Sequence, residues 1–348
     1  MEKKSKIALV IDIGNKRCDG KLYDRDFLNK ISHTLLPLYE LIQSLKKCGV
    51  ECITPDKFLA NPCPNKKVLL LSYLTNGRTE KILAHGAIPF LLLVQESPFI
   101  ATRFYLKFKL ISSRFVHTMG FSGMKRQASS KTNFQNINFP IYISNDTQFS
   151  ELSFSERKDV VLVAGNKNGE RTKALPLKLL YGLSVRLIYP LRKQIIRTLA
   201  ENSVLDIFGR GWESEDSEAI KKAYKGPLAS DIKYSTLSRY KFTLCLENAI
   251  FPGYVTEKMF DAMLAGSVPI YLGDPDIGLK VPANTFIDAR RFKGPKDLHN
   301  HLVTINETDF TMYIVNIKAF LSSRQFKKFT HANFINNVYT LLDSYANR

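Results

Sequence analysis

The chain opens with a five-residue apolar run, Ile7 to Ile11, ended by Asp12. That run is shorter than a signal-peptide core, and no small-residue cleavage site follows, so it reads as a first buried strand. From Phe27 to Lys47 the apolar positions Leu28, Ile31, Leu35, Leu38, Ile42 and Leu45 alternate steps of three and four, the spacing of one helix face. Pro37 predicts a break or kink in that helix, and Gly49 predicts its stop. Val50 to Ile53 and Val68 to Leu71 read as strands, and Thr79 begins a short helix that ends at Gly86. Ile88 to Val94 reads as a strand buried on both faces, with Pro89 tolerable near its start. This alternation is the βαβ rhythm of a doubly wound α/β domain.

The rhythm stops at a polar, serine-rich stretch, residues 146 to 158, and resumes with a buried strand at Val160 to Ala164. A helix from Pro190 to Asn202 follows, then strands at Val204 to Phe208 and Phe242 to Leu246, a helix at Glu257 to Ala265 and a strand at Val268 to Leu272. The pattern predicts two Rossmann-like domains, residues 1–150 and residues 155–348, the second ending in helices. Two such domains would face a cleft.

A length of 348 residues agrees with two domains, and 45% apolar with 24% charged residues excludes disordered, collagen-like and mucin-like classes. Charge changes the picture more. A formal net charge of +18 points to a polyanionic partner: nucleic acid, an anionic membrane surface or a phosphate-bearing ligand. Charge alone leaves all three open. The five cysteines include no Cys-x-x-Cys pair, which fits a reducing compartment rather than a zinc site or a disulfide framework. The longest apolar run, Ala87 to Val94, falls short of a bilayer span, so any membrane association would be peripheral.

The densest chemistry lies between Tyr240 and Pro275. Glu247 and Asn248 sit just beyond the carboxyl end of a buried strand, the edge at which open α/β sheets bind ligands. Thr256 is the expected N-cap of the next helix, Glu257 and Lys258 fall in its first turn, and Met259, Phe260, Met263 and Leu264 make its apolar face. Unpaired N–H groups at a helix start, with Lys258 beside them, suit a phosphate. On spacing alone an ordinary pair of first-turn surface residues explains Glu257 and Lys258 equally well.

Three runs decide between these readings: Leu246-Glu247-Asn248, Gly253-Tyr254-Val255-Thr256-Glu257-Lys258, and Ala265-Gly266-Ser267-Val268-Pro269-Ile270-Tyr271-Leu272-Gly273. In order and density they resemble the signature of the α-1,3/1,4-fucosyltransferases, glycosyltransferase family 10, of bacterial type. The resemblance implies an inverting, metal-independent enzyme of GT-B architecture that uses GDP-fucose and needs no cofactor. It also implies that Asn248, Tyr254, Glu257 and Lys258 line the donor pocket, with Lys258 on the diphosphate and Glu257 near the fucose ring. Glu257 would steady charge developing on that ring and so counts as a second catalytic residue.

Two matches lie outside this block. Gln95-Glu96-Ser97-Pro98 resembles the family's Glu-Ser-Pro element, whose glutamate is the proposed general base; by position Glu96 is a carboxylate at the end of a buried strand, with Pro98 stiffening the backbone. Arg192 falls in the first turn of the helix that Pro190 opens, where the resemblance implies a phosphate-binding arginine. Arg186, Lys193 and Arg197 are neighbours that could be confused with it. The family's Ser-Asn-Cys is here Gly165-Asn166-Lys167, followed by a basic loop, so Lys167 would share the phosphate contact.

Asp274-Pro275-Asp276 imitates an Asp-x-Asp metal site but reads as a turn, and His299 and His301 lack partners at ligand spacing. Residues 97 to 145 contain no Asp or Glu, yet interleave seven Lys and Arg with Phe99, Phe104, Tyr105, Phe108, Phe115 and Phe121. An anionic membrane carrying a glycolipid acceptor, a core with a solvated face, and single-stranded nucleic acid are the three readings of that stretch. The expectation is a fucosyltransferase on the inner face of a bacterial inner membrane, acting on GlcNAc or another lipopolysaccharide sugar. Its rivals are another GDP-deoxyhexose donor such as GDP-colitose and, from a different class, a basic nucleic-acid-binding protein.

Overall fold

The computed structural model describes residues 7–63, 65–143, 149, 152–166, 174–182 and 185–346. The chain divides into two compact units. Unit 1 is Met1–Tyr142 with Leu179–Gly182 and Phe329–Arg348, and unit 2 is Ile143–Lys178 with Leu183–Lys328.

Unit 1 is built on a parallel sheet of β1 (Ile7–Asp12), β2 (Glu51–Ile53), β3 (Lys67–Tyr73), β4 (Ile88–Leu93), β5 (His117–Gly120) and β6 (Asn133–Asn136), in the order β2-β1-β3-β4-β5-β6. Ala8 to Val10 of β1 and Phe90 to Leu93 of β4 are fully buried, as strands covered on both faces must be. The helix expected over 27–47 is two, Arg25–Ile31 and Leu36–Lys47, parted at Ser32 by a short 3-10 turn. Pro37 therefore occupies the first turn of the second helix, where its missing N–H is harmless, rather than kinking one long helix.

The acid-free stretch supplies β5 and β6, four-residue strands too short and too polar to stand out in the sequence. The six aromatics interleaved with its charges, Phe99, Phe104, Tyr105, Phe108, Phe115 and Phe121, are 7% exposed or less. They are core, which removes the stacking platform that a single-stranded nucleic acid would need.

The last helix, His331–Ala346, groups with unit 1 rather than with the second domain as the expected range 155–348 had it. It buries Phe334, Val338, Leu341 and Leu342, packs on the helix Leu36–Lys47, and sets the Tyr345 ring 5.3 Å from that of Phe90. An apolar stripe at helical spacing requires a partner without saying which.

Unit 2 carries a second parallel sheet: β7 (Lys158–Val163), β8 (Leu205–Phe208), β9 (Tyr240–Leu246), β10 (Val268–Leu272) and β11 (Ile287–Asp288), ordered β11-β10-β9-β7-β8. The strand order reverses between β7 and β9. At such a switch point the connections leave to opposite sides and open a crevice outside the carboxyl ends. Glu247, Asn248 and Asn166 follow those two strands. Among the described residues no helix is long and apolar enough to cross a membrane.

Candidate active site

Glu247 is the first residue past β9, and its N–H donates to Leu272 O at 2.8 Å, which extends the ladder by one residue. Its side chain is 0% exposed. A buried carboxylate needs donors, and it has them: Thr256 N at 2.7 Å from Oε1, the Thr256 hydroxyl at 2.9 and 2.8 Å from the two oxygens, and Lys258 Nζ at 2.9 Å from Oε2. Thr256 does hold the N-cap position of the helix Glu257–Leu264, but its side chain caps nothing in that helix. The hydroxyl turns to Glu247 instead, so it gives the amides of the first turn no cap.

Arg192 arrives from the first turn of the helix Tyr189–Glu201 and is 5% exposed. Its Nη1 donates to Glu247 O at 3.2 Å and to Asn248 Oδ1 at 3.1 Å, and the guanidinium lies 5.4 Å from the centre of the Tyr189 ring. Among the described residues it forms no ion pair with a carboxylate. Burial pulls the guanidinium below its ordinary pKa, against the opposing influence of Tyr189, Glu247 and Tyr254. A buried cation served only by neutral oxygens is electrostatically short of an anion.

Asn248 passes the network on, its Nδ2 lying 3.4 Å from the hydroxyl of buried Tyr254. Burial works against the charge of Lys258, but Glu247 and Glu257 outweigh it and hold the ammonium above the ordinary lysine range. Arg192, Asn248, Tyr254 and Lys258 thus meet around Glu247, and Glu257 stands half-buried beside Lys258. The charge balance, at a helix start that Thr256 does not cap, suits a ligand with two or more anionic oxygens.

The loop before this helix is pinned from below. Asp274, 0% exposed, accepts from Gly253 N at 3.0 Å and pairs with Lys280, so the Asp-Pro-Asp sequence is structural. Gly253 takes a φ of 86°, open to glycine without strain. Gly273 has a steric reason: a Cβ there would sit 2.4 Å from Tyr271 Oη and 2.5 Å from Glu247 Cγ. Among the described residues no three His, Cys, Asp or Glu side chains gather as metal ligands do.

Beyond β7, Asn166 Nδ2 donates to Gly211 O at 2.9 Å and to Glu215 Oε1 at 2.6 Å, and Glu215 also takes Lys193 Nζ at 2.9 Å. Lys193 is thereby committed elsewhere, which separates it from Arg192. Lys167 and most of the basic loop after it lie outside the described residues. Glu96 belongs to unit 1, half-buried just past β4. Its Oε1 accepts from Ser97 N at 2.8 Å, and its carbonyl accepts from the buried Tyr105 hydroxyl at 2.8 Å, which fixes the backbone that carries the carboxylate.

Sequence reasoning named neither Glu247 nor Asp274 as a working part. The available signal was an acidic residue within two positions of the end of each of two adjacent apolar strands, where a buried carboxylate needs a cation to answer it.

Residues 185–337 match the family model described as glycosyltransferase family 10 (fucosyltransferase), C-terminal part, a span that contains Arg192, Asn248, Tyr254, Glu257 and Lys258. They belong to glycosyltransferase family 10. Relatives of the family 10 region include the 3-galactosyl-N-acetylglucosaminide 4-alpha-L-fucosyltransferase of Bos taurus, 30% identical over 127 residues, which are 36% of this chain and 31% of that protein. The alpha-(1,3)-fucosyltransferase 7 of Mus musculus is 33% identical over 122 residues, 34% of this chain and 28% of that protein. The match thus spans less than a third of the length of either. Among solved structures, an α1,3-fucosyltransferase with GDP-fucose aligns with a TM-score of 0.54 at 17% identity, covering 98% of this chain and 92% of that one. Anabaena HepE with UDP-glucose aligns at 0.58 and 13%, covering 97% and 99%. The fold is GT-B, with two parallel sheets, as expected.

Proposed function

We propose that the protein is an inverting glycosyltransferase that moves L-fucose from GDP-β-L-fucose to a sugar hydroxyl, giving an α-1,3-type product. The observation that carries this reading is the buried Arg192, short of an anion, beside Lys258 and an uncapped helix start at the switch point of a family 10 sheet. Arg192 and Lys258 would grip the diphosphate and offset the charge on departing GDP. Asn248 and Tyr254 would position the donor, Glu257 would face the fucose ring, and Lys167 would reach the phosphates.

In the transfer the acceptor oxygen bonds to the anomeric carbon as the bond to GDP breaks, and the acceptor proton leaves. Glu96 of unit 1 would take that proton. The diphosphate charge is met by side chains and amides in this scheme, so it requires no metal. The acceptor would be a GlcNAc-type sugar of a lipopolysaccharide precursor, reached at the inner face of a bacterial membrane. The test is transfer from GDP-fucose to a GlcNAc-terminated acceptor in the presence of EDTA, with the linkage read by proton NMR. An α-linked product is expected. A β-linked product would overturn inversion, and no transfer with or without metal would overturn the activity.

A further inference from the structure

The six aromatics from Phe99 to Phe121 are core, which leaves the charges and aliphatic side chains among them to be explained. Two helical turns, Thr102–Leu106 and Phe108–Ser112, meet at Lys107. At about 100° per residue, Phe104, Tyr105, Phe108 and Ser112 project to one side, and all four are buried. Arg103, Leu106, Lys107 and Leu110 project to the other and are exposed. Leu106 and Leu110 are 42% and 69% exposed, and Ile100, just before the first turn, is 45% exposed.

A second segment of unit 1, Leu179–Gly182, is bonded to the first of these turns. Tyr181 Oη donates to Tyr105 O at 3.0 Å, and Gln127 Nε2 donates to Leu180 O at 2.9 Å. These bonds anchor Leu179, 80% exposed, beside the two turns. Single exposed leucines are unremarkable on any surface. Here they form an i,i+4 pair flanked by cations, with a further leucine held nearby, on a stretch with no acidic residue to neutralise it. Among the described residues Arg103, Lys107 and Lys109 form no ion pair.

We propose that this face docks the protein on an anionic lipid bilayer. Leu106, Leu110 and Leu179 would enter the headgroup–acyl boundary, and Arg103, Lys107 and Lys109 would lie along the lipid phosphates with their stems on the apolar surface. The charge selects an anionic partner, and the leucines select one with an apolar interior. Nucleic acid supplies only the first. The proposal does not depend on the identity of the transferred sugar.

The test is co-sedimentation of the full chain with phosphatidylcholine vesicles, with and without phosphatidylglycerol, at low salt. Binding to the anionic vesicles alone is expected. Lys107→Gln with Lys109→Gln should lower the partition coefficient about thirtyfold, from about fivefold per charge. Leu106→Ser with Leu110→Ser should lower it at least about tenfold, with circular dichroism and GDP binding unchanged, whereas Leu110→Phe should keep it. Three results would overturn the proposal: no binding, equal binding to neutral vesicles, or full binding by the double-serine variant. Displacement of the protein from the vesicles by single-stranded RNA at equal phosphate concentration would also overturn it, in favour of a nucleic-acid surface.

Discussion

The arrangement around Glu247 makes a quantitative prediction. The Glu247–Lys258 pair has its carboxylate wholly buried and its lysine side chain 18% exposed, with Oε2 and Nζ 2.9 Å apart. At that distance an effective dielectric of about 20 gives roughly 6 kcal/mol of gross attraction. Most of it offsets the desolvation of the two ions. What remains measurable is the coupling, expected at about 1–3 kcal/mol in a double-mutant cycle of Glu247→Gln and Lys258→Met. Glu247→Gln alone should be the more damaging single change, because the same carboxylate also holds Thr256 N and its hydroxyl and so orders the start of the helix Glu257–Leu264. The assay is guanidinium unfolding of the four proteins without nucleotide, followed by circular dichroism. Additivity within about 0.5 kcal/mol would show that Glu247 does not hold Lys258, and the electrostatic account of the site would fail with it.

Glu96→Ala should lower transfer by about 10²–10⁴-fold while leaving GDP affinity, measured by calorimetry, nearly unchanged; transfer near the parent rate would remove Glu96 as the base. Arg192→Met should weaken GDP binding by about ten- to a hundredfold, and Arg192→Lys should recover little of it, because an ammonium cannot reproduce the guanidinium fork. Gly273→Ala should destabilise unit 2 by about 1–3 kcal/mol and weaken GDP binding in the same protein, since the new methyl displaces Glu247; an unchanged melting temperature would contradict the geometry.

Much of this was legible in the chain before any coordinates. β1, β3, β4, β7, β9 and β10 fell where continuous apolar runs placed them, because strands buried on both faces have few alternatives. Asn248, Tyr254 and Lys258 stood out by resemblance to a family signature rather than by spacing, and the structure gathers them with Arg192 around Glu247. What escaped was pairing. Arg192 and Asn248 stand far apart in the chain, and only the switch point between β7 and β9 brings them to 3.1 Å. Thr256 was expected to cap its helix, yet a buried carboxylate outcompetes the helix amides for its hydroxyl. The helix His331–Ala346 was expected only as part of the second domain's terminal helices, and its packing on the helix Leu36–Lys47 escaped. The reading of the aromatics from Phe99 to Phe121 stayed open among surface and core because interleaved charges mask helical turns whose two faces differ.

The central claim is that unit 2 holds a GDP-sugar by its diphosphate. The most direct measurement is nucleotide release from a panel of GDP- and UDP-sugars incubated with the full chain in EDTA, with UDP-glucose included because a protein of the same fold is known in complex with it. The account predicts GDP release from GDP-fucose and from no UDP-sugar, lost in Lys258→Ala. Release from none, or from UDP-sugars alone, would contradict it.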